Sequence, residues 1–163
     1  MSITKTIVNV GIADTKIVRS PNTIRTLGLG SCIGTVLYDE RRGIAGLSHI
    51  LLPDSSQARA GSISEMKYAD TAIPQLLEML QEQGARNMKA KMAGGAQMFQ
   101  VGKGTSFMRI GDKNIEAVQD ALRKLNIKVV SSYVGGNLGR TIEFDPVTSK
   151  LSIRKRNQDV FTI

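Results

Sequence analysis

The sequence predicts an α/β domain of the α+β kind: a layered sandwich of mostly antiparallel or mixed strands with two main helices. Short β-branched runs follow one another through the first third of the chain with no helical pattern between them. That favours antiparallel pairing over a doubly wound sheet. Two later segments carry apolar residues at helical spacing. The chain has 163 residues and 41% apolar content, which suits a single domain, residues 1–163, with its own core.

The strands are expected at Ile7 to Val10, Lys16 to Val18, Thr23 to Leu29, Ile33 to Tyr38 and Ile44 to Leu52. Between the last two, Asp39-Glu40-Arg41-Arg42-Gly43 is a polar stretch ending in glycine, the chemistry of a hairpin turn. A first helix is expected over roughly Asp70 to Gln83, with Ile73, Leu76, Leu77 and Leu80 on one face. With Asp70 or Thr71 as its cap, Pro74 falls in the first turn, where its missing N–H needs no partner. Gly84 is the expected stop. A second helix follows from about Lys113 to Leu125, capped by Asp112, with Ile115, Val118, Leu122 and Leu125 as its stripe. Strands near Lys89 to Ala93, Ile127 to Val134, Arg140 to Phe144 and Lys150 to Arg154 complete the pattern.

Composition narrows the function. No window approaches the roughly 20 apolar residues of a membrane span, and Met1 to Val10 lacks a signal-peptide layout, so a cytoplasmic protein is expected. The lone cysteine cannot form an internal disulfide. With one histidine and no carboxylates near either residue in sequence, a Cys/His metal site is not expected, and no cofactor is implied. The net charge is +8, compatible with nucleic acid, an anionic membrane or an acidic protein. Nucleic acid is disfavoured, because the chain has no Trp and only 4% aromatic residues to stack on bases. An acidic protein partner fits better.

The chemistry concentrates in Thr26-Leu27-Gly28-Leu29-Gly30-Ser31-Cys32 and Ser48-His49. The glycines permit a sharp turn that presents the thiol and leaves backbone N–H groups free for a developing oxyanion. Hairpin geometry links the two segments. A two-residue loop at Glu40-Arg41 would set Cys32 directly opposite His49. A four-residue loop, Glu40 to Gly43, makes His49 a diagonal neighbour on the same face. Either arrangement gives a thiol its base, and a neighbouring imidazolium would lower the thiol pKa. The bland alternatives are a buried, inert cysteine and a structural histidine. A third polar residue should orient the imidazole. Thr26 can do so only if the chain reverses around Gly28 to Gly30.

Gly28-Leu29-Gly30-Ser31-Cys32 and the run from Tyr38-Asp39 through Gly46-Leu47-Ser48-His49-Ile50-Leu51-Leu52-Pro53 resemble the CheD family of chemoreceptor glutamine deamidases. Lys67-Tyr68-Ala69-Asp70, Lys91 to Met98, Ile110-Gly111 and Gly135-Gly136-Asn137-Leu138-Gly139-Arg140 agree in order with later blocks of that family. The resemblance implies a fold similar to the deamidase domain of cytotoxic necrotizing factor toxins. It implies a Cys-His-Thr site at Cys32, His49 and Thr26. It implies deamidation of glutamines on the helical cytoplasmic bundle of methyl-accepting chemotaxis receptors, with action on methyl-esterified glutamates as a further option. It also implies binding to the CheC phosphatase in some bacteria, so a non-catalytic adaptor is the competing reading. Gly30, Ser31 and Gly136 are candidate substrate contacts. Phe99, with Met98, is a candidate partner patch or a piece of core. Gly102-Lys103-Gly104-Thr105-Ser106 lacks Walker spacing and is not read as a phosphate loop.

Overall fold

The structure, a computed structural model, describes residues 4–57, 64–97 and 109–163. Met98, Phe99 and the Gly102 to Ser106 segment lie outside the described residues.

The strands are β1 (Ile7–Val10), β2 (Thr15–Arg19), β3 (Thr23–Leu29), β4 (Ile33–Asp39), β5 (Ile44–Ile50), β6 (Lys89–Gly94), β7 (Lys128–Val134), β8 (Arg140–Asp145), β9 (Lys150–Lys155) and β10 (Val160–Thr162). The helices are α1 (Ala69–Glu82) and α2 (Ile110–Lys124). One sheet has the order β1-β3-β8-β9-β10 and the other β2-β5-β4-β6-β7. Ile24, Leu29, Val36, Leu47, Ile142, Phe144 and Ile153 fill the layer between the sheets. The helices cover the outer face of the second sheet through Ile33, Leu37, Ile50, Met92, Ile73, Leu76, Val118 and Leu122.

This layering explains the sequence. Strands β4 and β5 lie between the helices and the first sheet, and every residue in both is buried. Such strands read as near-continuous apolar runs rather than alternating ones. Strand β8, at the centre of the outer sheet, alternates buried and half-buried positions.

The structure adds to and corrects the sequence reading in four places. Each sheet is mixed, because β1 pairs parallel to β3 and β6 parallel to β7, while the other pairs are antiparallel. A tenth strand, β10, pairs with β9 near the end of the chain. Helix α1 is preceded by Tyr68 with no side-chain cap; Asp70 sits inside its first turn and accepts from the Ser55 N–H and hydroxyl. Pro74 is therefore beyond the first turn, and its missing N–H leaves the Asp70 carbonyl without its helical donor. Helix α2 starts earlier than expected, with Asp112 inside its first turn and Arg109 at the capping position without a side-chain bond. Gly111 allows this start: a Cβ there would lie 2.6 Å from the carbonyl oxygens of Gly95 and Ala96. Gly84 ends α1 as expected, at φ +95°, with the Ala85 N–H bonded to the Leu80 carbonyl.

Candidate active site

The hairpin resolves to the four-residue loop. Asp39 pairs with Ile44 and Gly34 pairs with His49, with Gly43 at φ +61° closing the turn. Cys32, two residues before Gly34, lies on the same face as His49, toward the layer between the sheets. A Cβ at position 34 would sit 2.5 Å from Ile142 Cδ1, so this glycine lets the outer sheet close over the pair.

Thr26 reaches the site from the facing sheet. Strand β3 belongs to the outer sheet and β4 to the inner one. The chain crosses between the sheets at Gly28, φ +66°, through Cys32. A register shift in the β3–β8 pairing between Thr26 and Leu29 lets both residues point inward. Thr26 Oγ1 thus meets His49 Nδ1 at 2.7 Å across the sandwich. The Thr26 hydroxyl donates to the Val10 carbonyl, also at 2.7 Å. Its proton is committed there, so Oγ1 accepts from Nδ1–H, and the lone pair of the neutral imidazole stands on Nε2. That nitrogen is buried and has no hydrogen-bond partner among the described residues. Cys32 Sγ is accordingly not hydrogen-bonded to it in this resting arrangement. The backbone of His49 is fixed as well: its N–H donates to the Asp14 carbonyl and its carbonyl accepts from the Ala13 N–H, both at 3.0 Å.

The cysteine turn is tied down from three sides. The Gly95 N–H donates to the Cys32 carbonyl at 2.9 Å, and the Ala96 N–H to the Gly30 carbonyl at 2.8 Å. Gly94, at φ +116°, is required for this approach, because a Cβ would lie 2.2 Å from the Cys32 carbonyl oxygen. From helix α2, the fully buried Asn114 donates through Nδ2 to the carbonyls of Ser31, at 2.9 Å, and Leu51, at 3.1 Å. One amide thereby links the residue before the thiol to the strand end that carries the imidazole. The Ser31 N–H makes no backbone hydrogen bond among the described residues, and the Cys32 N–H acts on its own thiol.

Burial favours the neutral form of both reactive groups. Burial pushes the Cys32 thiol up, against the opposing pull of its own backbone N–H. Burial pushes the His49 imidazole down. Burial therefore works on both groups against the thiolate–imidazolium pair that a neighbouring imidazolium would favour.

The structure thus brings Cys32, His49 and Thr26 into one region. Gly30 and Gly136 line neighbouring cavities beside the turn, and the Gly136 carbonyl accepts from the Gln97 N–H at 2.8 Å. Ser31 contributes its carbonyl to Asn114. Gly94 and Gly95 relieve packing at the end of β6. Sequence reasoning missed Asn114, although a polar residue four positions before Val118 on a helix's buried stripe is a visible signal. It also missed Arg140. This buried guanidinium bonds the carbonyls of Tyr133, Gly135 and Leu138 and so shapes the glycine loop between β7 and β8.

Fold and site together define a two-sheet α+β domain that holds one thiol and one imidazole on the same hairpin, the imidazole oriented by a threonine from the facing sheet. The family described as "CheD chemotactic sensory transduction" matches residues 51–155. The chain is 56% identical to the "Probable chemoreceptor glutamine deamidase CheD" of Oceanobacillus iheyensis, over 99% of both chains. It is 51% identical to the "Chemoreceptor glutamine deamidase CheD" of Halalkalibacterium halodurans, over 93% of this chain and 95% of that one. It is 47% identical to the protein of the same name from Bacillus subtilis, over 100% of both. The chain belongs to the CheD family.

Proposed function

We propose that this chain deamidates glutamine side chains of chemoreceptors to glutamate, with Cys32 as nucleophile, His49 as base and Thr26 as the residue that orients the base. The observation that carries the reading is the commitment of His49 Nδ1 to Thr26, which leaves Nε2 as an unpaired buried base on the face that carries Cys32.

Nε2 takes the thiol proton as Sγ bonds to the carboxamide carbon. The oxyanion that forms is met by the Ser31 N–H and by the Cys32 N–H, which the sulfur releases as it bonds to carbon. The imidazolium returns its proton to the departing nitrogen, and ammonia leaves with cleavage of the C–N bond. A thioester remains. Water attacks it, His49 accepts the water's proton, and the thiol is regenerated as glutamate departs. A buried neutral imidazole suits this role, because it gains charge only transiently. The reading includes the cytoplasm as compartment, expected from the composition, and the CheC phosphatase as a second partner, implied by the family resemblance.

The test is incubation with a purified chemoreceptor cytoplasmic fragment, following ammonia release and glutamine-to-glutamate conversion by mass spectrometry. The wild-type chain produces both and Cys32→Ala produces neither. Retained conversion in that variant eliminates the mechanism.

A further inference from the structure

We infer that the groove beside the nucleophile turn is an anion subsite that binds a carboxylate flanking the target glutamine. The inference names a specificity element for the deamidase reading and rests on it.

A cavity of about 460 Å³ opens beside Gly28 and Gly30 and is walled opposite by Arg154, Lys155 and Arg156 at the end of β9. A second cavity, of about 170 Å³, continues along Gly135, Gly136 and Asn137 and shares Lys155 with the first. Arg154 and Arg156 are exposed. Among the described residues, none of the three cations forms a salt bridge. Lys155 instead lies 5.2 Å over the Tyr133 ring. Glu143 and Asp159 line neighbouring cavities with Arg154. Glu143 is engaged by the Thr23 hydroxyl at 2.9 Å.

Three adjacent cations without carboxylate partners are an electrostatic cost unless an anion joins them. Cys32 stands two positions after Gly30, a span of about 7 Å at most. Residues flanking an amide held at the thiol therefore come within reach of this groove. Arginine favours a carboxylate there through its planar, two-point donor geometry. Glutamine deamidation itself creates carboxylates, so a chain with several target glutamines would present this anion more often as the reaction proceeds.

The experiment compares Arg154→Gln/Arg156→Gln with Arg41→Gln/Lys128→Gln, which removes equal charge from the far ends of β4 and β7. Affinity for a purified chemoreceptor cytoplasmic fragment is measured at low and high salt, with deamidation followed in the same samples. For the first variant, affinity at low salt falls about tenfold, its salt dependence flattens, and KM rises about tenfold with kcat within about twofold. The second variant stays within about twofold of the wild-type chain. Unchanged affinity in the first variant, or an equal loss in both, overturns the subsite. Binding also separates the two readings: a wild-type chain that binds but releases no ammonia fails as a deamidase, while the comparison of variants still decides the groove.

Discussion

Thr26 and His49 belong to different sheets and are joined by a 2.7 Å contact between Oγ1 and Nδ1. This contact fixes the imidazole tautomer, because the threonine hydroxyl is already spent on the Val10 carbonyl. Thr26→Val removes the acceptor and strands a buried N–H, a loss of about 1–3 kcal/mol. The expected result is a fall in kcat of about 10- to 100-fold, with Thr26→Ser retaining most activity. Nitrogen chemical shifts of His49 should show Nδ1 protonated in the wild-type chain and a mixture of tautomers in the valine variant.

Asn114 acts on the same centre from behind. Its Nδ2 holds the carbonyls of Ser31 and Leu51 together. Asn114→Leu keeps the volume but leaves both carbonyls without this donor, and should cost about 2–4 kcal/mol in denaturant unfolding. Asn114→Asp should lower kcat further than the leucine variant, because its carboxylate faces carbonyl oxygens and repels the Ser31 backbone. Equal kcat in all three forms would remove Asn114 from the positioning of the turn.

The neutral resting pair predicts the pH profile. The active form has His49 deprotonated and Cys32 protonated. Burial lowers the imidazole from its ordinary 6.5 and raises the thiol from its ordinary 9.0. The acid limb of kcat/KM should therefore lie below pH 6.5 and the alkaline limb above pH 9. Activity is expected to stay flat between them. A resting thiolate–imidazolium pair would move the acid limb to the thiol's ionisation and the alkaline limb to the imidazolium's.

Far from the site, Asp39 anchors the β4–β5 hairpin. Burial pushes its carboxyl up, but the N–H groups of Arg86 and Asn87 and the Arg42 guanidinium outweigh that and hold it at about 2. A depressed carboxylate pKa contributes stability that is present above the unfolded value near 4 and disappears as pH falls through the folded value. Its size is on the order of 2 kcal/mol. Asp39→Asn should lose that stability at neutral pH and show a flatter decline between about pH 4 and pH 2, read by urea unfolding across the pH series.

The hairpin that carries Cys32 and His49 was legible because its polar turn and the period of two along a strand fix which side chains share a face. The helices were legible from their stripes, while their starts shifted because Tyr68 and Arg109 precede them without a capping side chain. Which strand joins which sheet was not legible. Strand β3 is followed directly by β4, which reads as a local pair, yet the glycine crossing sends them to opposite layers. Parallel pairing of β1 with β3 depends on β2 having joined the other sheet, a non-local outcome. β10 was missed because Val160–Thr162 is only three residues beside a polar turn.

The most direct test of the thiol–imidazole assignment is to trap the acyl intermediate. Turnover with a chemoreceptor cytoplasmic fragment is quenched in acid, and covalent conjugates are mapped by mass spectrometry. A hydroxylamine-sensitive thioester between Cys32 and the target side chain is expected, absent in Cys32→Ala and accumulating to a lower level in His49→Ala, where formation is slowed. Ammonia release by Cys32→Ala, with no adduct on Cys32 in the wild-type chain, would contradict the assignment.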